Sequence, residues 1–218
     1  CLANFDLKVA CIAPVGDDED GRLIRENLQN RKVDIRLIKK IKNEKSGFSF
    51  ILIAPGGERI IFAQRGANNN LMISHEDIAN LRKTKAVYIA SLTGDWLNNL
   101  EKIFSVVGPE GPNIFWNPGM TQLVGGADKI KKFLAKTTVF ACNKDEALSL
   151  VVNTEEYKGF ADKELNKSEK LVKIIHSFGP KIAVITLGKH GVIVFDGKKI
   201  IRRDIVKGEK CVDTTGVG

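Results

Sequence analysis

No two cysteines in this sequence form a Cys-x-x-Cys pair, and no histidine lies at metal-ligand spacing from Cys1, Cys11, Cys142 or Cys211. Cysteine-based metal and redox motifs are therefore absent. Cys11 and Cys142 sit within apolar runs, which predicts buried free thiols and a reducing compartment. No stretch reads as a signal peptide, and no apolar run is long enough to span a bilayer. The expectation is a cytoplasmic protein with no membrane partner. A Gly-x-x-x-x-Gly-Lys-Ser/Thr loop is missing, so a P-loop is unsupported. A Gly-x-Gly-x-x-Gly after the first strand is missing too, so a dinucleotide site is not indicated. Aromatic residues make up 7% of the chain.

Basic residues are plentiful. The 218 residues carry 34 Lys and Arg against 26 Asp and Glu, a net charge of +8. The lysines are scattered, and short clusters such as "IKKIKNEK" (Ile38–Lys45) stand beside acids or apolar residues. That pattern predicts a solvated basic surface rather than a nucleic-acid site. The length suffices for one large domain or two small ones.

Periodicity places the elements. "KVACIAPVG" reads as a buried strand ending in glycine, followed by a helix whose acids cluster in its first turn. "DIRLIKKI" alternates as a strand does, and "SGFSFILIAPGGERIIFAQRG" (Ser46–Gly66) reads as a β-hairpin. "SHEDIANLRKT" opens on a capping pair, Ser74 and Asp77. From there strands and helices alternate through "AVYIASL", "NIFWNPG", "TVFACN", "KIAVITLG" and "GVIVFDG". Such alternation predicts a mostly parallel sheet with helices on both faces. Trp96 and Trp116 fit core positions, and His176 falls in the apolar stripe of Leu171, Val172, Ile175 and Phe178.

The polar and glycine-rich pieces fall at strand ends, where open α/β sheets bind ligands. "DTTGVG" (Asp213–Gly218) can turn the backbone N–H groups of Gly216, Val217 and Gly218 into one concavity, an anion site, or serve as a capped helix entry. "NKDE" offers Asn143 and Glu146 one helical turn apart. Such a pair could hold a hydrated Mg²⁺, but by itself reads first as a capping box, an Asn cap with Glu at the third helical position. "TLGKHG" (Thr186–Gly191) alone reads as a tight hairpin turn.

In order, these segments resemble the ribokinase-like, phosphofructokinase-B type family of sugar and nucleoside kinases. "VACIAPVGDDEDG", "RGANNNLMISHEDI", "NPG", "NKDEAL", "TLGKHG" and "DTTGVG" follow in family order along nearly the whole chain. The last matches the start of the signature Asp-Thr-x-Gly-Ala-Gly-Asp, with Val217 in place of alanine. The resemblance implies a three-layer αβα fold with a mostly parallel central sheet and a small β lid. It implies one domain over residues 1–218, with lid strands within about residues 34–66. Gly216, Val217 and Gly218 would form the anion hole. Asn143, Thr186, Gly188, Gly191 and Gly218 would border ATP. Glu146 and Asn143 would place Mg²⁺ indirectly, and Asp213 and Thr215 would hold a monovalent cation such as K⁺.

The activity so implied is ATP-dependent phosphorylation of a sugar or nucleoside hydroxyl. The alternative is a non-catalytic nucleotide- or sugar-binding regulator on the same fold. The lid would mediate a homodimer. The signature's closing aspartate, the base for the hydroxyl proton, has no counterpart after Gly218. The opening "CLANFD" reads as a helix tail, so the chain reads as a fragment that is inactive by itself.

Overall fold

The structure, a computed structural model, describes residues 2–54, 59–160 and 165–206. They fall into two compact units: residues 2–77 with 93–95, and residues 78–92 with 96–206.

In the first unit, β1 (Ala13–Gly16) leads to α1 (Glu19–Asn30) and then β2 (Ile38–Ile41). The two strands pair in parallel, Ala13 opposite Ile38 and Gly16 opposite Ile41. Asp18 caps α1 by accepting from the Gly21 N–H at 2.9 Å, and Glu19 and Asp20 follow in the first turn. Anions there offset the unpaired N–H groups and the helix dipole. The expected strand "DIRLIKKI" is half as long as its alternation suggests. Ahead of it Asp34 makes a single parallel bridge to Ala10, and the chain then turns: Arg36 bonds back to Asp34, and the Ile38 N–H donates to the Ile35 carbonyl. Cys11 is half-buried rather than buried, and burial still pushes its thiol up.

β3 (Phe48–Ile53) and β4 (Arg59–Gln64) form the anticipated antiparallel hairpin, with Phe50 opposite Phe62 and Leu52 opposite Ile60. Both faces are open. Phe50 is 58% exposed, Phe62 57%, Ile61 59% and Ile53 53%.

α2 (His75–Leu81) starts as the Ser-x-x-Asp pattern predicts. The Asp77 N–H donates to Ser74 Oγ at 3.2 Å, and Asp77 Oδ2 accepts from the Ser74 N–H at 2.7 Å. Asp77 also pairs with Lys39 of β2, and its side chain is 1% exposed. Burial disfavours the charge, but the bonds from Lys39 and Ser74 outweigh it and hold the carboxyl below its ordinary value. Its Oδ1 is buried without a partner, and neutralising the group removes the negative charge that Lys39 pairs with at Oδ2. Asp77→Asn should cost roughly 2–3 kcal/mol at pH 7. A depressed carboxyl contributes stability above its unfolded value and loses it as pH falls through the folded one. The gap between wild type and variant, read by denaturant unfolding, should therefore close below about pH 3.9. A pH-independent gap would refute this role.

The second unit is a six-stranded sheet in the order β10-β9-β8-β7-β6-β5. β5 (Ala86–Ile89), β6 (Asn113–Trp116), β7 (Val139–Asn143) and β8 (Ile182–Thr186) run parallel. β9 (Val192–Phe195) and β10 (Ile200–Arg203) are antiparallel additions. Helices α3 (Trp96–Phe104), α4 (Met120–Leu123), α5 (Gly126–Leu134), α6 (Lys144–Val152) and α7 (Ser168–Ser177) intervene. The single turn α4 is not evident from periodicity.

One face of the sheet is buried through Ile114, Trp116, Phe140, Ile185 and Ile193. Trp116 lies edge-on to Phe104 of α3 and Phe133 of α5, at 5.9 and 6.4 Å between ring centroids. On the opposite face Tyr88 and its register partner Phe115 are 59% and 38% exposed. Trp96, at the first position of α3, is half-buried rather than core. The His176 ring packs on Phe195, 4.9 Å between centroids, as its apolar stripe suggests.

Candidate active site

The carboxyl ends of the parallel strands lie side by side, because parallel pairing aligns every strand end at one edge of the sheet. Asn143 closes β7, Thr186 closes β8, and the two are register partners. Next to them, the Asn117 N–H donates to the Ile89 carbonyl at 2.9 Å, and its Nδ2 donates to the Ala141 carbonyl at 2.8 Å. Asn117 thus stitches the ends of β5, β6 and β7 together. In the sequence Asn117 is only the first residue of the "NPG" turn, and nothing there assigns it this role.

Asn143 begins α6 with a reciprocal capping box. Its Oδ1 accepts from the Glu146 N–H at 2.8 Å, and Glu146 Oε2 accepts from the Asn143 N–H at 2.8 Å. This is the capping alternative in full geometry, and it fixes both side chains at the strand end. Asn143 is exposed and Glu146 half-buried. One carboxylate beside one amide, both reachable by water, is a donor set that fits Mg²⁺ held through few protein ligands. Among the described residues no cluster of three or more His, Cys, Asp and Glu could hold a metal. Cys142, one residue before, is 1% exposed, and burial first, then the charge of Glu146, pushes its thiol well up.

Thr186 leads into a turn of 3-10 type, Gly188–His190, which joins β8 to the antiparallel β9. The Leu187 N–H donates to the Gly191 carbonyl at 2.8 Å and closes the loop. This is the hairpin the Gly-x-x-Gly spacing suggests. Gly188 has φ +56° with open space where a side chain would lie, so its backbone is accessible to a ligand. Gly191 has φ +79°, and a Cβ there would sit 1.9 Å from the Arg203 carbonyl of β10. The first glycine leaves room, and the second allows close packing.

The structure therefore brings Asn143, Glu146, Thr186, Gly188 and Gly191 to one edge of one sheet. Asp213, Thr215, Gly216, Val217 and Gly218 lie outside the described residues. Among the described residues no helix is long and apolar enough to cross a membrane.

A mostly parallel sheet with helices packed on it and polar residues at the strand ends is an α/β architecture, and the solved ribokinases it superposes on make the fold ribokinase-like. The chain belongs to the pfkB family of carbohydrate kinases, whose family model matches residues 1–218. It is similar to an uncharacterized sugar kinase of Archaeoglobus fulgidus, 25% identical over 221 residues, covering 100% of this chain and 81% of that one. It is 24% identical over 220 residues to the ribokinase of Haemophilus influenzae, covering 99% of this chain and 66% of that one. Among solved structures, Arabidopsis thaliana ribokinase complexed with ribose and ATP superposes with a TM-score of 0.75 at 22% identity, over 98% of this chain and 66% of that one. The chain thus spans about two thirds of the length of these two ribokinases.

Proposed function

We propose that the protein transfers the γ-phosphoryl group of ATP to a hydroxyl of a sugar or nucleoside. The observation that carries this reading is the pairing of Asn143 with Thr186 at adjacent strand ends, beside the open Gly188 turn, in a chain that matches a carbohydrate kinase family throughout. Thr186, Gly188 and Gly191 border the nucleotide. Asn143 and Glu146 orient the hydrated Mg²⁺ that, when bound, neutralises phosphate charge. The N–H groups of Gly216, Val217 and Gly218 receive the moving phosphoryl oxygens, and Asp213 with Thr215 holds K⁺. In the transfer, the hydroxyl oxygen bonds to the γ-phosphorus, the bond from that phosphorus to the β–γ bridging oxygen breaks, ADP leaves, and the hydroxyl proton passes to a base. Little covalent work falls to the protein, so positioning and electrostatics supply the rate.

The β3–β4 hairpin is the lid over the acceptor, and two lids meet in a homodimer. A cytoplasmic location fits the free thiol of Cys142. The test is ATP consumption by the full-length protein across a panel of sugars and nucleosides. One acceptor should be phosphorylated in a Mg²⁺-dependent manner. ATP binding without turnover on any acceptor would replace the kinase with a binding protein.

A further inference from the structure

We propose that Asp18 and Ser46 form a latch at the root of the β3–β4 hairpin, and that both are positioning residues for the lid; the functional half of this rests on the lid reading above. Ser46 stands two residues before β3 and is 2% exposed, although Glu44 and Lys45 before it and Phe48 after it are exposed. Its Oγ accepts from the Gly16 N–H at 2.9 Å and donates to Asp18 Oδ1 at 2.7 Å. Its N–H donates to Asp18 Oδ2 at 2.8 Å. Asp18 Oδ1 also caps α1 through the Gly21 N–H. The Asp18 carboxylate therefore ties the start of α1 to the entry of the hairpin, and the Ser46 hydroxyl it holds ties in the end of β1.

The exit from the hairpin is held at the same place. The Ala67 N–H donates to the Lys45 carbonyl at 2.8 Å, and the Asp17 N–H donates to the Glu44 carbonyl at 3.0 Å. The backbones meet without room for side chains. A Cβ on Gly16 would lie 2.3 Å from the Ser46 nitrogen, and one on Gly66 2.3 Å from the Lys45 carbonyl oxygen. Beyond this root both hairpin faces are about half exposed. Packing on its faces does little to fix its direction, so the root sets it. Bonds to a carboxylate are stronger than neutral ones and suit that task. Hydrogen bonds, first from Ser46 and then from the Gly21 N–H, hold the Asp18 carboxyl below its ordinary range, so the latch is charged at neutral pH.

Ser46→Ala in the full-length protein is the test, read first by amide hydrogen exchange at Asp17 and Ala67. Their acceptors, the Glu44 and Lys45 carbonyls, survive the substitution, so their exchange reports opening of the root. Exchange there should rise about tenfold, the weight of one lost hydrogen bond, with the amides of α1 unchanged. The KM for the sugar should rise several-fold while that for ATP stays constant. A change below about twofold at both amides, where a lost bond predicts tenfold, overturns the latch. So does a rise shared equally by α1, which marks a merely structural role. Faster root exchange with an unchanged sugar KM removes the positioning role. If Ser46→Ala fails to fold, Asp18→Asn, which keeps an acceptor for the Gly21 N–H, must give the same pattern or the latch is rejected. The exchange result does not need turnover, so a protein with no kinase activity sinks the kinase reading separately.

Discussion

Glu146→Gln in the full-length protein should lower turnover on the order of 10²-fold, the scale of losing one preorganised charge in an active site, and raise the Mg²⁺ concentration needed for half-maximal rate. The fold should not notice. Glutamine keeps a side-chain oxygen to accept from the Asn143 N–H, the bond Glu146 Oε2 makes at 2.8 Å. The Asn143 Oδ1 bond to the Glu146 N–H is untouched by the change. The substitution thus separates the two roles that the Asn-x-x-Glu spacing allows. If capping is all that Glu146 does, the Mg²⁺ titration and the melting temperature both stay where they are. An unchanged titration would reject the metal role, and the box at the start of α6 would stand as the whole explanation.

Phe50→Asp should turn the proposed dimer into a folded monomer. Phe50 and its cross-strand partner Phe62 are 58% and 57% exposed, on a hairpin too small to bury either face by itself. Exposed apolar surface of this kind marks an interface. A carboxylate placed there must be desolvated on association, which costs roughly 3 kcal/mol or more and weakens the dimer at least about 10²-fold. Light scattering should show half the mass, and circular dichroism an unchanged spectrum. A variant that stays dimeric, or a wild type already monomeric at micromolar concentration, would take the hairpin out of any dimer interface.

Local pattern carried a large part of the architecture. The Ser74–Asp77 and Asn143–Glu146 caps are four-residue chemistries, and both formed as their spacing indicates. The hairpin and the Gly-x-x-Gly turn are equally local. What stayed illegible is non-local. Nothing in the sequence shows that Asn143 and Thr186 are register partners, because 43 positions and a helical layer separate them. Asn117 reaches the Ala141 carbonyl across a strand pair, and an asparagine in a turn looks the same with or without such a bond. The Gly16 and Gly66 contacts arise from backbone closeness between distant segments. The short β2 has a different cause. Alternation in "DIRLIKKI" is real and Asp34 still bridges Ala10 in parallel, but the Arg36 bond to Asp34 and the turn from Ile35 to Ile38 interrupt the ladder before Ile38.

The two tryptophans sit in different optical media. Trp116 is 1% exposed, walled by Phe104, Phe133 and Phe140, and its Nε1 is buried without a partner. Trp96 is half in water at the start of a surface helix. An indole held in hydrocarbon emits at shorter wavelength than one that solvent can relax around, and a dissolved quencher reaches only the second. The chain therefore carries its own pair of intrinsic lamps: one is extinguished by iodide from outside, and the other shifts only when the six-stranded core comes apart.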